Sequence, residues 1–121
     1  MNVTEARRVY IAGPMRGRAH WNFPAFDASR DLFRALGWVV VSPADLDRVY
    51  EGWDLRPPPH LMVDHGLRVR CIARDLQALL TFQPGKDAIY MLTGWEKSAG
   101  ARAEKALAEF LGLLVLYEVN A

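Results

Sequence analysis

The sequence predicts a small doubly wound α/β fold. Three observations carry this. Four short β-rich, apolar runs recur along the chain, at Arg8 to Gly13, Trp38 to Pro43, Asp87 to Leu92 and Leu113 to Val119. The segments between them space their apolar residues as helices do. Strands that alternate with helices imply right-handed crossovers and a parallel sheet covered on both faces.

Each element has its own signal. "RVYIAG", Arg8 to Gly13, runs into Gly-Pro, as a buried strand entering a turn does. From about Asn22 the spacing becomes helical, with Ala25, Ala28, Leu32, Ala35 and Leu36 as the expected inward stripe. Asn22 is the candidate cap and Gly37 the candidate stop. "WVVVSP", Trp38 to Pro43, is β-branched and too continuously apolar for a strand with one wet face. A short extra strand or helix fits between Asp45 and Trp53. Three prolines mark Tyr50 to His60 as a loop within one domain. A helix follows through "HLMVDHGLRVRCIARDLQALLTF", with Val69, Ile72, Leu76 and Leu80 on one stripe and Gly66 setting its first half apart. After the strand "DAIYML" comes a helix from about Ser98, with Ala103, Leu107, Phe110, Leu111 and Leu114 expected inward. "LLVLYEV" is the last strand.

Composition bounds the function. The 121 residues suit one compact domain over 1–121, and 51% are hydrophobic, enough for a core. A net charge of +1 argues against bulk nucleic-acid binding but leaves room for a small charged ligand. Cys71 is the one cysteine, so no internal disulfide forms and a reducing compartment is expected. "MNVTEARR" lacks the apolar run of a signal peptide, and no stretch approaches the ~20 apolar residues of a membrane span. The expected location is the cytoplasm, that of a host if a phage encodes the chain. No membrane partner is expected.

In a doubly wound sheet a ligand sits outside the carboxyl ends of the strands. The loops to inspect are therefore "GPMRGRAHWN", "SPADLD" and "TGWEKSAG". The first holds Gly13, Pro14, Arg16, Gly17 and Arg18 with no acid, and leads into a helix start. That composition favours an anion, although it is neither a Walker A loop nor GxGxxG. In the last, Ser98 and Gly100 open a helix. A serine there is ordinarily an N-cap, and the same hydroxyl and free N–H groups also suit a phosphate. Asp45, Asp75, Asp87, Glu96 and Glu104 are the acids to weigh, most of them ordinary solvated charges. Glu104 stands out, six residues after Ser98 and about one and a half turns on. Trp21 and Trp95 flank the two ligand loops and offer stacking faces for a base. His20, His60, His65 and Cys71 lack metal-ligand spacing, so no zinc site is expected.

The ordered set "YIAGPMRG", "WNFPAFDA", "VVSPA", "RDL" and "GWEKSAGARAE" resembles the nucleoside 2-deoxyribosyltransferase superfamily. It is most similar to a phage and bacterial branch catalogued as a domain of unknown function, DUF4406. The resemblance covers nearly the whole chain. It implies a flavodoxin-like or Rossmann-like three-layer sandwich with a 4–5-stranded parallel sheet. It also implies that Glu104 attacks C1′ of a 2-deoxyribosyl group, that Asp75 assists, and that Tyr10 orients the nucleophile. Members acting on free nucleosides carry Asp where this chain has Ser98, and the deoxynucleoside-monophosphate glycosidases carry Ser. A hydroxyl can donate to a phosphate that a carboxylate would repel.

The resulting expectation is an enzyme that hydrolyses or transfers the N-glycosidic bond of a deoxynucleoside 5′-monophosphate. Its expected parts are Glu104, Asp75 and Tyr10 for catalysis, and Gly13, Pro14, Arg16, Gly17, Ser98 and Gly100 for the phosphate. Trp21, Asp45 and Trp95 are the expected base pocket. No metal or organic cofactor is expected. The alternative is a nucleotide, or nucleotide-derived signal, binder that keeps the pocket without the reaction. A homodimer or higher homo-oligomer is expected.

Overall fold

A computed structural model describes residues 6–52 and 65–119 of the chain. The elements run β1 (Arg8–Ala12), α1 (Phe23–Ala35), β2 (Val39–Val41), α2 (Pro43–Glu51), α3 (His65–Leu79), β3 (Ala88–Met91), α4 (Ala99–Phe110) and β4 (Leu114–Tyr117). The four strands form one parallel sheet in the order β2-β1-β3-β4. Tyr10 pairs with Val41 on one side and Ile89 on the other, and Ile89 pairs in turn with Val115. The architecture is a flavodoxin-like or Rossmann-like three-layer α/β fold, as expected. The extra element near Asp45 is the helix α2, with Pro43 in its first turn, where a missing N–H costs nothing.

The strands alternate their side chains between two helical layers. Val9 and Ile11 face Phe23, Phe26 and Phe33 of α1 and Ala44 of α2. Tyr10 and Ala12 face Leu79 of α3 and Ala101 and Ala108 of α4. Because β1 and β3 are central, both of their faces are covered, which is why their sequences read as near-continuous apolar runs. The same apolar reading of β2 is corrected. It is an edge strand, and Val39 is 43% exposed.

The helical stripes are also corrected, each by about one position. In α1 the buried residues are Phe23, Phe26, Ser29 and Phe33, while Leu36 stands 65% exposed. Aromatic rings fill this layer. Phe33 meets Tyr90 edge-on at 4.8 Å and Trp38 at 5.6 Å, burying more apolar surface than the Ala/Leu stripe could. In α3, Leu67, Asp75 and Leu79 are buried, Ile72 and Leu76 are half-buried, and Val69 and Leu80 are exposed. In α4, Ala101, Glu104 and Ala108 are buried, Ala103 is exposed and Phe110 is 86% exposed. Leu114 belongs to β4.

Asn22 holds the N-cap position of α1, but its side chain makes no capping hydrogen bond. Its backbone is left-handed, at φ 61°, and its side-chain amide donates to the Pro14 carbonyl at 2.8 Å. Gly37 does end α1, at φ 92°, a conformation that glycine adopts without a Cβ penalty. The expected loop does not begin at Tyr50, since Tyr50 and Glu51 close α2; its remainder beyond Gly52, and the stretch before His65 expected to be helical, lie outside the described residues.

Candidate active site

The carboxyl ends of β1, β2 and β3 open onto one cavity of about 710 Å³. Gly13 and Pro14 enter it after β1, Pro43 after β2, and Lys97 and Ser98 after β3. One wall is α3, through Val69, Ile72 and Asp75, and another is α4, through Gly100, Ala103 and Glu104. The central strands β1 and β3 flank the switch point of the strand order, where such folds take ligands.

Gly13 is required here by packing. A Cβ on it would lie 2.6 Å from the Leu92 Cβ, because the Leu92 N–H donates to the Ala12 carbonyl at 2.8 Å and pulls the two strand ends together. Ser98 sits in extended backbone just before α4, and its Oγ accepts from the Ala101 N–H at 3.2 Å. That cap uses an oxygen lone pair and leaves the hydroxyl able to donate. The first N–H groups of α4 and the Lys97 and Arg16 side chains share the cavity with it. Positive charge and a helix N-terminus therefore line the same cavity.

Glu104 is 5% exposed, on the seam of α4 between its sheet-facing and cavity-facing sides. It accepts the hydroxyl of Tyr10, which rises from β1 beneath it and is fully buried. Burial, with Asp75 close by, holds the Glu104 carboxyl well above the usual range, and the Tyr10 donation pulls the other way. Burial and Glu104 also raise the Tyr10 phenol, so it stays a proton donor at any ordinary pH. Asp75, 8% exposed, is raised to about 6 by burial against the opposing pull of Arg74. The site thus holds two carboxyls raised above the ordinary carboxylate range, the condition proton-transfer chemistry needs.

Seven of the expected site residues line this cavity: Gly13, Pro14, Arg16, Ser98, Gly100, Asp75 and Glu104. Tyr10 lies behind Glu104 and reaches the cavity only through it. Gly17 is at an exposed turn, at φ 74°, and is not in the wall. Neither are the three residues expected to hold a base. Trp21 packs against the Phe23 and Phe26 cluster. Asp45 is held by Arg30 at 2.7 Å and Arg48 at 3.0 Å. Trp95 packs on the opposite core cluster and beside Tyr117, with Lys105 over its ring. Among the other weighed acids, Asp87 locks the amino end of the sheet. It accepts the backbone N–H groups of Arg8 at 2.9 Å and Gln83 at 2.8 Å.

Sequence reasoning missed Asp47 and Arg74. Asp47 is buried on α2, and Arg74 reaches it at 2.7 Å and Asp75 at 2.8 Å. A signal existed. Asp47 falls one turn after the buried Ala44, on the inward face of α2, and Arg74 stands in the "RDL" string beside Asp75. His65, Arg68 and Cys71 on α3 were likewise not anticipated as cavity residues. Burial and Asp47 push the Cys71 thiol up to about 11, which keeps it an inert thiol. Among the described residues, no three His, Cys, Asp or Glu side chains form a metal-ligating cluster, and no helix is long and apolar enough to cross a membrane.

No curated protein and no solved structure matches the chain. A match to a known family does span most of it, from residue 7 to residue 117, and covers every cavity residue named above. The chain therefore belongs to the DUF4406 family, a domain of unknown function.

Proposed function

We propose that this protein cleaves the N-glycosidic bond of a deoxynucleoside 5′-monophosphate, with Glu104 as the nucleophile. The single observation that carries the reading is the buried Glu104 in the cavity wall, held by the Tyr10 hydroxyl and flanked by Asp75. The resemblance of the ordered set Tyr10, Asp75, Ser98 and Glu104 to the nucleoside 2-deoxyribosyltransferase superfamily supports it independently.

In this reading the 5′-phosphate takes the Ser98 hydroxyl, the first N–H groups of α4 and the Arg16 and Lys97 charges. Ser98 and Glu104 are six residues apart, which is about 9 Å along a helix. The sugar would bridge that interval and bring C1′ to the carboxylate. Glu104 attacks C1′ as the bond to the base breaks, and Asp75 passes a proton to the departing base. Water, or a second base, then displaces Glu104 from C1′. The stretched transition state carries oxocarbenium character, which a carboxylate stabilises.

The test is release of free base from a panel of deoxynucleoside 5′-monophosphates, followed by chromatography. Glu104→Gln is expected to bind nucleotide and release none. Turnover retained in Glu104→Ala would remove the assignment. A second reading, nucleotide binding without reaction, is favoured by the burial of Glu104, which raises its carboxyl well above the usual range and so disfavours the ionised form that attacks. It predicts a thermal shift with nucleotides and no base from any of them. Exposed Leu114 and Tyr117 on the edge strand β4 support assembly into a homo-oligomer, which sedimentation measures directly.

A further inference from the structure

We infer that Arg74 is the positioning residue of the cavity carboxyls: clamped by Asp47 across the α2–α3 contact, it fixes the orientation and charge of Asp75. The inference rests on the proposed role of Asp75 for its catalytic meaning, and on geometry for its substance. Neighbours in sequence on a helix point about 100° apart and do not ordinarily face each other. Arg74 nevertheless bends back onto Asp75, through Nε at 3.0 Å and Nη2 at 2.8 Å. What turns it is Asp47, which takes the same Nη2 at 2.7 Å. All of these contacts to Asp75 fall on Oδ1. The other carboxyl oxygen carries no contact with Arg74, and Asp75 lines the cavity.

Charge balance gives the arrangement its consequence. Asp47, Asp75 and Glu104 are all buried, and Arg74 is the cation that opposes their charge in common. One shared guanidinium does not offset the burial of three carboxyls, even with Arg48 also acting on Asp47, and all three are held above their ordinary range. Arg74 favours the ionised form of Asp75, and Asp47 weakens that pull by sharing the guanidinium and by its own charge. The other ionisable groups around the contact are Arg48 and Glu51 on α2, Cys71 on α3, and Tyr10 beneath Glu104. Arg74 Nη1 is buried without a hydrogen-bond partner among the described residues. The guanidinium is thus placed for its two carboxylates rather than for its own full satisfaction.

The test reads Asp75 directly in the ligand-free protein. Carbon-13 carboxyl signals are followed against pH, with Asp75 assigned by its disappearance in Asp75→Asn. The wild-type midpoint is expected at about 6. Arg74→Gln should move it upward by about one to three pH units, the effect of losing an adjacent opposite charge. Asp47→Asn should move it downward, because Arg74 then acts on Asp75 alone. Arg74→Lys keeps a charge without the fork and should fall between wild type and Arg74→Gln. It carries the comparison with Asp47→Asn if Arg74→Gln does not fold. Opposite displacements in the Arg74 and Asp47 variants support the inference, since general loosening of the helix pair would move both alike. Midpoints that stay in place, or that move in the same direction, overturn it. Where base release is measurable, its pH profile should follow the same order. If the midpoints move as expected and no nucleotide yields base, the proposed reaction fails while the control of Asp75 by Arg74 stands.

Discussion

Tyr10→Phe isolates the contribution of one hydroxyl to the proposed chemistry. The ring of Tyr10 is fully buried and meets Phe82 edge-on at 6.5 Å, so phenylalanine keeps the packing and removes only the oxygen. What is lost is the donation to Glu104 Oε2. That bond is strong when Glu104 is ionised and weak when it is protonated. A hydrogen bond to a charged acceptor contributes about 1.5–3 kcal/mol, against about 1 kcal/mol for a neutral pair. The nucleophile is the ionised form, so the larger figure acts on the rate. At about 1.4 kcal/mol per factor of ten, kcat for base release should fall roughly 10- to 150-fold. KM should stay within about twofold, because Tyr10 is not in the cavity wall and uniform binding is untouched. The rise of activity with pH should move to higher pH, since Tyr10 lowers the Glu104 carboxyl. Stability should drop by only about 1 kcal/mol, a few degrees in Tm for a chain of this size. Steady-state kinetics over pH and a thermal melt read all four quantities. An unchanged kcat in Tyr10→Phe, beside a dead Glu104→Gln, would refute the reasoning. So would a loss expressed wholly in KM.

Three further outcomes follow from the same geometry. Ser98→Asp should retain the N-cap on Ala101 and hence the fold, while its charge repels a 5′-phosphate; calorimetry should show loss of deoxynucleotide binding with the melting temperature held. Gly13→Ala should cost about 1–3 kcal/mol in urea unfolding, because the new Cβ meets Leu92 Cβ at 2.6 Å and the strand ends cannot separate. The folded protein holds the protons of Asp47 and Asp75 up to about pH 6, against 3.8 as the ordinary value. Their contribution to stability is therefore complete below about pH 4 and is withdrawn as pH rises through about 6. A displacement of about two pH units, at about 1.4 kcal/mol each, is about 3 kcal/mol per carboxyl. Asp75→Asn should flatten this part of the stability curve, and an unaltered slope in denaturant titrations between pH 4 and 7 would count against it.

What the chain determined by itself is local. The central strands β1 and β3 were legible because a central parallel strand is covered on both faces and must be apolar throughout. Gly37 and Ser98 were legible because left-handed backbone and an orphan helix N–H each admit few side chains. The carboxylate at position 104 was legible from its interval after Ser98 and from the family resemblance, although its burial was not.

What only tertiary structure decided is which face of each helix turns inward. Periodicity seeks apolar residues, yet the inward faces of α3 and α4 carry Asp75 and Glu104, and that of α1 carries Ser29. A cavity between helices and sheet lets acids occupy core positions, so an apolar stripe picks the neighbouring face. Small residues such as Ala101 and Ala108 then let α4 lie close to the sheet, with Phe110 outside. The edge position of β2, the placement of Trp21, Asp45 and Trp95 away from the cavity, and the Asp47–Arg74–Asp75 clamp depend on strand order and helix packing. Those contacts join residues distant along the chain, and local spacing carries no record of them.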